Sequence, residues 1–493
     1  MSWTPELGLS LLLILPGLGF AGIVLASKAP NIRDGINLLM GALLLANVVA
    51  LVNVVGTGAR PSLMLTDLGG GLALQFTLEP LGAVFAAIAS SLFLLNTIYG
   101  IGYMRANKAK NQTRFFACFA IAIGAAMGVA ASGNMLTLFV FYEVLTLSTF
   151  PLVTHNGDEK ARRGGRIYLA ILMAASIGLL LPAVIASQVF AGTTDFMVGG
   201  FLSGHVGPVV AGVLLVLYTF GIAKAALFPV HMWLPNAMVA PTPVSAFLHA
   251  VAVVKAGVFT MIKMVVYVFG IDMVQASPVA HWLAILAGIT IVVASLIALS
   301  KDNLKARLAW STIGQLAYVT LGAMIATPLA LMGAALQIIM HAFGKITLFM
   351  CAGAVYSANQ TTDISKMNGM GKVMPLVFIA FFVGSLSIIG VPPFAGAWPK
   401  LVLLMGMTSA GDRWLMVALV LSSLLNILYL LPVAVNAFMK KPNPAMVATL
   451  PASKPPLLTV LPPMLTAFCT LVLFFMVGPI MNYLRPVFEG GGL

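Results

Sequence analysis

Glu143, Lys224, Lys255 and Lys400 are charged residues set inside long apolar runs, and His231, His249, His341 and Lys345 stand in the same surroundings. A lysine at the centre of a membrane helix costs about 2.5 to 3.5 kcal/mol on the translocon scale, so each one is a functional signal. The chemistry open to such a set is proton transfer. Burial disfavours a charged amine and a nearby carboxylate favours it, so one neighbouring charge can carry a buried lysine across neutrality. At ~7 Å and an effective dielectric of ~20, that charge contributes ~2.4 kcal/mol, nearly two pK units.

Spacing suggests who meets whom. Glu143, in LFVFYEVLTLSTFPLV, reads as the only acid deep within an apolar run and is paired with Lys224 as a hypothesis. His341 and Lys345, in IIMHAFGKITLF, are four residues apart and share a helix face. His249 and Lys255 lie about 240° apart around a helix axis and need water or a neighbour between them. Histidine titrates near neutrality and suits a relay between lysines, although His231 could equally be an interhelical hydrogen bonder. Lys263, near the end of its apolar run, is expected to snorkel to the interface. Glu79, just before Pro80, is expected to favour a helix N-terminus. His205 and His281 read as loop or interface residues.

These residues need a scaffold that keeps them from lipid. With 60% hydrophobic residues, 8% charged residues and a mean hydropathy of +1.05 over 493 positions, a soluble globular core is excluded. The reading is an all-α polytopic membrane protein; the short alternating segments of a β-barrel are absent. The apolar runs give about fourteen spans, at roughly 5–26, 35–55, 79–103, 113–131, 133–154, 166–190, 208–229, 242–269, 280–300, 307–325, 328–355, 374–398, 413–438 and 456–483. The segment GTGARPSLMLTDLGGGLALQ after the second is expected to form an external hairpin, and HNGDEKARRGGR at 155–166 a solvated loop.

The formal charge of +13 has a membrane explanation rather than a nucleic-acid one. Loops after odd-numbered spans hold Lys28, Arg33, Arg105, Lys108, Lys110, Arg114, Lys160, Arg162, Arg163, Arg166, Lys301, Lys305, Arg307, Lys366, Lys372, Lys440, Lys441 and Lys454. The opposite face holds Arg60, Arg413 and Arg485. By the positive-inside rule the basic loops are cytoplasmic and both termini face outward, in the plasma membrane. Without a basic stretch before the first apolar run, no cleaved signal peptide is expected. Cys118, Cys351 and Cys469 are isolated, which predicts no disulfide, metal site or iron–sulfur cluster, and no cofactor is expected.

Two spans are interrupted by proline: ALFPVHMWLP at 226–235 and GVPPFAGAWPK at 390–400, with Lys224 and Lys400 beside them. Paired broken helices at corresponding positions of two halves point to an inverted repeat whose ion path runs through the breaks. The expected organisation is an N-terminal segment at 1–112, five-helix repeats at 113–269 and 280–438, and a C-terminal helix at 439–493.

FYEVLTL, HMWLPNA, APTPVSAFLHA, HAFGKITLF and PPFAGAWPK occur in an order that resembles the antiporter-like subunits shared by respiratory complex I and the Mrp-type sodium/proton antiporters. The resemblance covers nearly the whole chain. It implies fourteen helices, two inverted five-helix half-channels and a hydrophilic axis. It makes Glu143, Lys224, Lys255 and Lys400 the proton-transfer residues and His249 and His341 relay histidines; Lys345 and His231 are added to the relay from their own chemistry and position. Partners would be other membrane subunits, including a second antiporter-like chain, with protons and Na+ as the ions. Lysine at 400 and the lack of a long C-terminal extension favour the Mrp D type, whereas Gly344 departs from the expected bulkier residue and is expected to widen the cavity. Alternatives are the pump arm of a complex I-like oxidoreductase or membrane-bound hydrogenase, and a single-chain solute symporter. A membrane enzyme is disfavoured, because no nucleophile motif, metal-ligand cluster or phosphate loop is present.

Overall fold

Apolar length decides the architecture. The computed structural model describes residues 3–441 and 455–489, excepting the side chains of His249 and Ala250. Twelve helices among these residues are long and apolar enough to cross a bilayer; two shorter apolar ones, Pro208–Gly221 and Pro375–Ile389, bring the spans to the expected fourteen. The two short ones are the first halves of the broken seventh and twelfth spans. Proline opens many spans, as at Pro5, Pro30, Pro80, Pro278 and Pro328, where its missing N–H has no helical partner to lose. Thr4, Asn134, Asp158, Asn303 and Thr327 cap their spans by accepting a backbone N–H.

The expected hairpin forms from β1 (Ser62–Gly69) and β2 (Leu72–Thr77), paired antiparallel. Its turn contains Gly69, Gly70 and Gly71, all with positive φ. Alternation of the spans puts this hairpin on one face and the loops holding Lys108 and Lys301 on the other.

Three spans form the centre. The eighth (Thr242–Phe269) and tenth (Leu304–Ile325) are buried along their whole apolar windows, and the eleventh (Pro328–Asn359) nearly so. The eighth carries Lys255, and the eleventh carries His341 and Lys345. The first, sixth and thirteenth spans instead turn most of their surface outward, as lipid- or partner-facing helices do.

Several expectations need correction. The eighth span is not one helix: it runs Thr242–Ala250 and Val253–Lys263, then widens into a π-turn at Met264–Phe269. At the interruption the Phe247 carbonyl accepts from both Val251 and Ala252, which puts the ladder out of step. The residues there are apolar and non-prolyl, so the sequence carries no sign of it. The last span is two helices, Leu457–Phe475 and Val477–Phe488. The sixth begins at Glu159, so Lys160 to Arg166 are its first two turns rather than loop. His155 is buried, edge-on to Phe115 with Nε2 3.0 Å from the Lys110 carbonyl; burial and the nearby Arg114 push its imidazole below the ordinary range. Lys454 lies outside the described residues.

Candidate functional site: a buried line of lysines

Lys224 sits where the first half of the seventh span stops. That half ends at Gly221 and the chain turns through Ala223–Ala225 to Ala226, at φ +55. The Trp233 indole donates to the Ala223 carbonyl at 2.8 Å, satisfying one acceptor freed by the break. The segment also contains a cis Phe228–Pro229 bond. The Lys224 ammonium is fully buried over the Tyr142 ring and donates to the Tyr142 carbonyl and Thr146 Oγ1, each at 2.7 Å. Gly257 makes this approach possible, since a Cβ there would stand 2.4 Å from the Lys224 backbone carbon.

Glu143 is the next residue after the carbonyl that Lys224 grips, on the fifth span (Met135–Val153). Among the described residues it forms no hydrogen bond or ion pair with Lys224. Both carboxylate oxygens are buried and accept no hydrogen bond among the described residues. The expected pair is therefore not in direct contact.

Lys255 and His341 do meet. Lys255 Nζ lies 2.6 Å from His341 Nδ1, both fully or nearly fully buried. One turn along the eleventh span, Lys345 donates to Ser311 Oγ at 2.8 Å. Ser311 also accepts from the Tyr429 hydroxyl at 2.9 Å, and the Tyr429 carbonyl accepts from Arg307 at 2.9 Å. Sequence reasoning missed Ser311, Tyr429 and the buried Gln337–Gln315 amide pair at 2.7 Å; polar residues in an apolar run were the available signal.

Lys400 closes the line. It lies in the first turn of Ala397–Ala410, after a break that holds a cis Pro392–Pro393 bond. Its ammonium reaches back to the Ile388 carbonyl at 3.1 Å and the Ile389 carbonyl at 2.6 Å, and to Ser423 Oγ at 2.9 Å. These are the C-terminal carbonyls of the preceding half-helix, where a cation is favoured. Gly390, at φ +90, caps that half-helix, and a side chain there would strike Lys400.

The structure bears on three further expectations, and a fourth lies beyond it. His231 stacks on Phe228, with centroids 3.9 Å apart, and hydrogen-bonds to none of the lysines among the described residues. The His249 side chain lies outside the described ones. Gly344 does not widen a cavity: Ile388 fills the space, 3.0 Å from where a Cβ would stand. Lys263 does not snorkel. It is 1% exposed and faces Glu79, also 1% exposed, at 3.4 Å, so a second acid is buried in the protein, at the start of the third span. Glu79 caps the third span (Pro80–Ala106) as expected, accepting from Leu81 and Gly82.

On the basic face a cavity of about 780 Å³ opens beside the end of the broken seventh span, lined by Tyr103, Thr242, Tyr356 and three lysines, Lys108, Lys160 and Lys305. Lys305, expected in a loop, is buried and donates to the Ala240 carbonyl.

Residues 132–426 match the family model described as NADH:quinone oxidoreductase/Mrp antiporter, TM. The chain belongs to this family. It is 31% identical over 373 residues to NADH-quinone oxidoreductase subunit N of Desulforudis audaxviator, covering 74% of this chain and 73% of the relative. It is 32% identical over 336 residues to the A/B chain of a probable K(+)/H(+) antiporter from Rhizobium meliloti, covering 67% of this chain but 33% of that one. The chain spans between a third and a half of the length of several curated relatives it matches. A chain in the structure of the Mrp complex from Dietzia sp. superposes with a TM-score of 0.88 at 21% identity, covering 99% of this chain and 97% of that one, which supports the fold.

Proposed function

We propose that this chain is a proton-translocating subunit of a multisubunit monovalent cation/proton antiporter of the Mrp type, most similar to its D subunit. The carrying observation is the 2.6 Å contact between Lys255 and His341 in the fully buried centre. In this reading Lys224 and Glu143 act on one side of that contact, and Lys345 and Lys400 on the other. In this reading a change of charge at Glu143 and Lys224 alters the proton affinity of Lys255, which passes its proton to His341. The proton then moves by Lys345, Ser311 and Tyr429 towards Lys400. Each step pairs groups whose donors and acceptors can exchange roles. The exchanged cation is Na+ or K+, the latter named for the Rhizobium relative. Basic loops face the cytoplasm, both termini face outward, and the working unit includes further membrane subunits.

A second reading is favoured by the match to subunit N across most of that relative's length: the pump arm of a redox complex, using the same residues with another energy source. One experiment separates them. The tagged chain is purified in mild detergent from its native membrane, its companions are identified by mass, and the assembly is reconstituted for proton flux. Small hydrophobic companions with a second antiporter-like chain, and cation-driven proton movement, support the antiporter. Iron–sulfur or flavin subunits support the redox pump, and a solitary chain active in liposomes sinks both in favour of a symporter.

A further inference from the structure

Of the buried ion pairs among the described residues that the proposed relay does not use, Lys263 with Glu79 lies nearest in sequence to its lysines. Lys263 lies on the same helical segment as Lys255, eight residues and about 12 Å further towards the hairpin face. Its ammonium donates to the Ser132 carbonyl at 2.8 Å, faces Glu79 Oε1 at 3.4 Å and rests 4.5 Å from the Phe196 ring centroid. Glu79 already accepts two backbone N–H groups of the third span and faces the Tyr267 hydroxyl at 3.4 Å, so it does not need the lysine to be satisfied. The helix turns from α to π immediately after Lys263; such turns recur at functional sites.

A cavity of about 170 Å³ touches both charged groups. Its other lining includes Gln75 and Thr77 of β2 and the exposed Asp195 between the sixth and seventh spans. At ~30 Å³ per water molecule it has room for a short chain of waters between the buried pair and the surface. Among the described residues, Arg60 and Tyr483 are further charged and titratable groups beside the cluster.

We propose that Glu79 and Lys263 form a second proton gate, through which the buried lysines exchange protons with the hairpin face. This rests on the proton-translocating reading. The Lys263 ammonium gives a proton to cavity water or to the Asp195 carboxylate, and the resulting amine takes one from the Lys255 side. No other bond forms or breaks. Glu79, fixed by its two backbone donors, is the constant negative charge against which Lys263 cycles.

The alternative role is a structural lock, and two variants separate them in the intact assembly reconstituted in liposomes. Lys263→Arg keeps the ion pair but holds its proton at any working pH. A gate then assembles normally and loses exchange by about tenfold or more, whereas a lock keeps its rate. Glu79→Gln retains an acceptor for the cap and removes the charge. The pH profile of exchange then moves by about one unit for a gate and stays in place for a lock. Wild-type rate in Lys263→Arg, or an unmoved profile in Glu79→Gln, overturns the proposal; should the arginine variant not assemble, the Glu79→Gln profile alone decides. A wild-type assembly that moves no protons would instead sink the proposed function itself, before any variant is made.

Discussion

The two broken spans set a lysine beside a cut helix, but they surround it differently. Lys224 is fully buried, gripped by one carbonyl and one hydroxyl of the fifth span, with the Glu143 carboxyl on the adjoining residue. Lys400 is 8% exposed and held by two carbonyls of its own span and by Ser423, with no carboxylate among these partners. The first lysine can be switched by a change of charge on its neighbour. The second is steadied by the fixed dipole of a half-helix, which cannot change sign. In the proposed relay, Lys224 would be the side that responds and Lys400 the side that holds.

On the proposed relay, removing the carboxylate beside Lys224 has the largest effect. Glu143→Gln is expected to insert and assemble normally and to lower cation/proton exchange by about a hundredfold or more; unchanged exchange removes Glu143 from the mechanism. Lys400→Ala comes next, with exchange falling by about tenfold or more while expression is nearly kept; equal losses in both would assign Lys400 to structure alone. Gly257→Ala tests the input side through packing. Its methyl group meets the Lys224 backbone, so a thermal melt should show destabilisation of about 1–3 kcal/mol with a several-fold loss of exchange. Ser423→Ala removes one of three acceptors from Lys400 and should cost about two- to threefold in rate. A larger loss than that of Lys400→Ala would reverse the roles assigned to hydroxyl and dipole.

Much of this was legible in the sequence because the bilayer makes polar residues conspicuous. Spans, hairpin and both prolyl breaks follow from apolar length and from Pro229, Pro235, Pro392 and Pro393. The break at Val251–Ala252 did not, since nothing in an apolar pair marks a shifted ladder. Lys263 was misjudged because nearness to a span end says nothing of what packs outside it; here Glu79 and Phe196, distant in sequence, enclose it. The Lys255–His341 contact joins residues 86 apart, so helix-face arguments within one span could not find it. His231 was suggestive by position alone, and the ring of Phe228 lies tilted against it.

The claim that the two halves communicate through the centre has a direct test. His341→Gln can still hydrogen-bond Lys255 but cannot carry a proton. Measured as cation-induced proton flux in liposomes holding the intact assembly, this variant should assemble like the wild type and lose about a hundredfold in rate. Flux at the wild-type rate would show that protons do not pass from Lys255 to His341, and the relay would have to be abandoned.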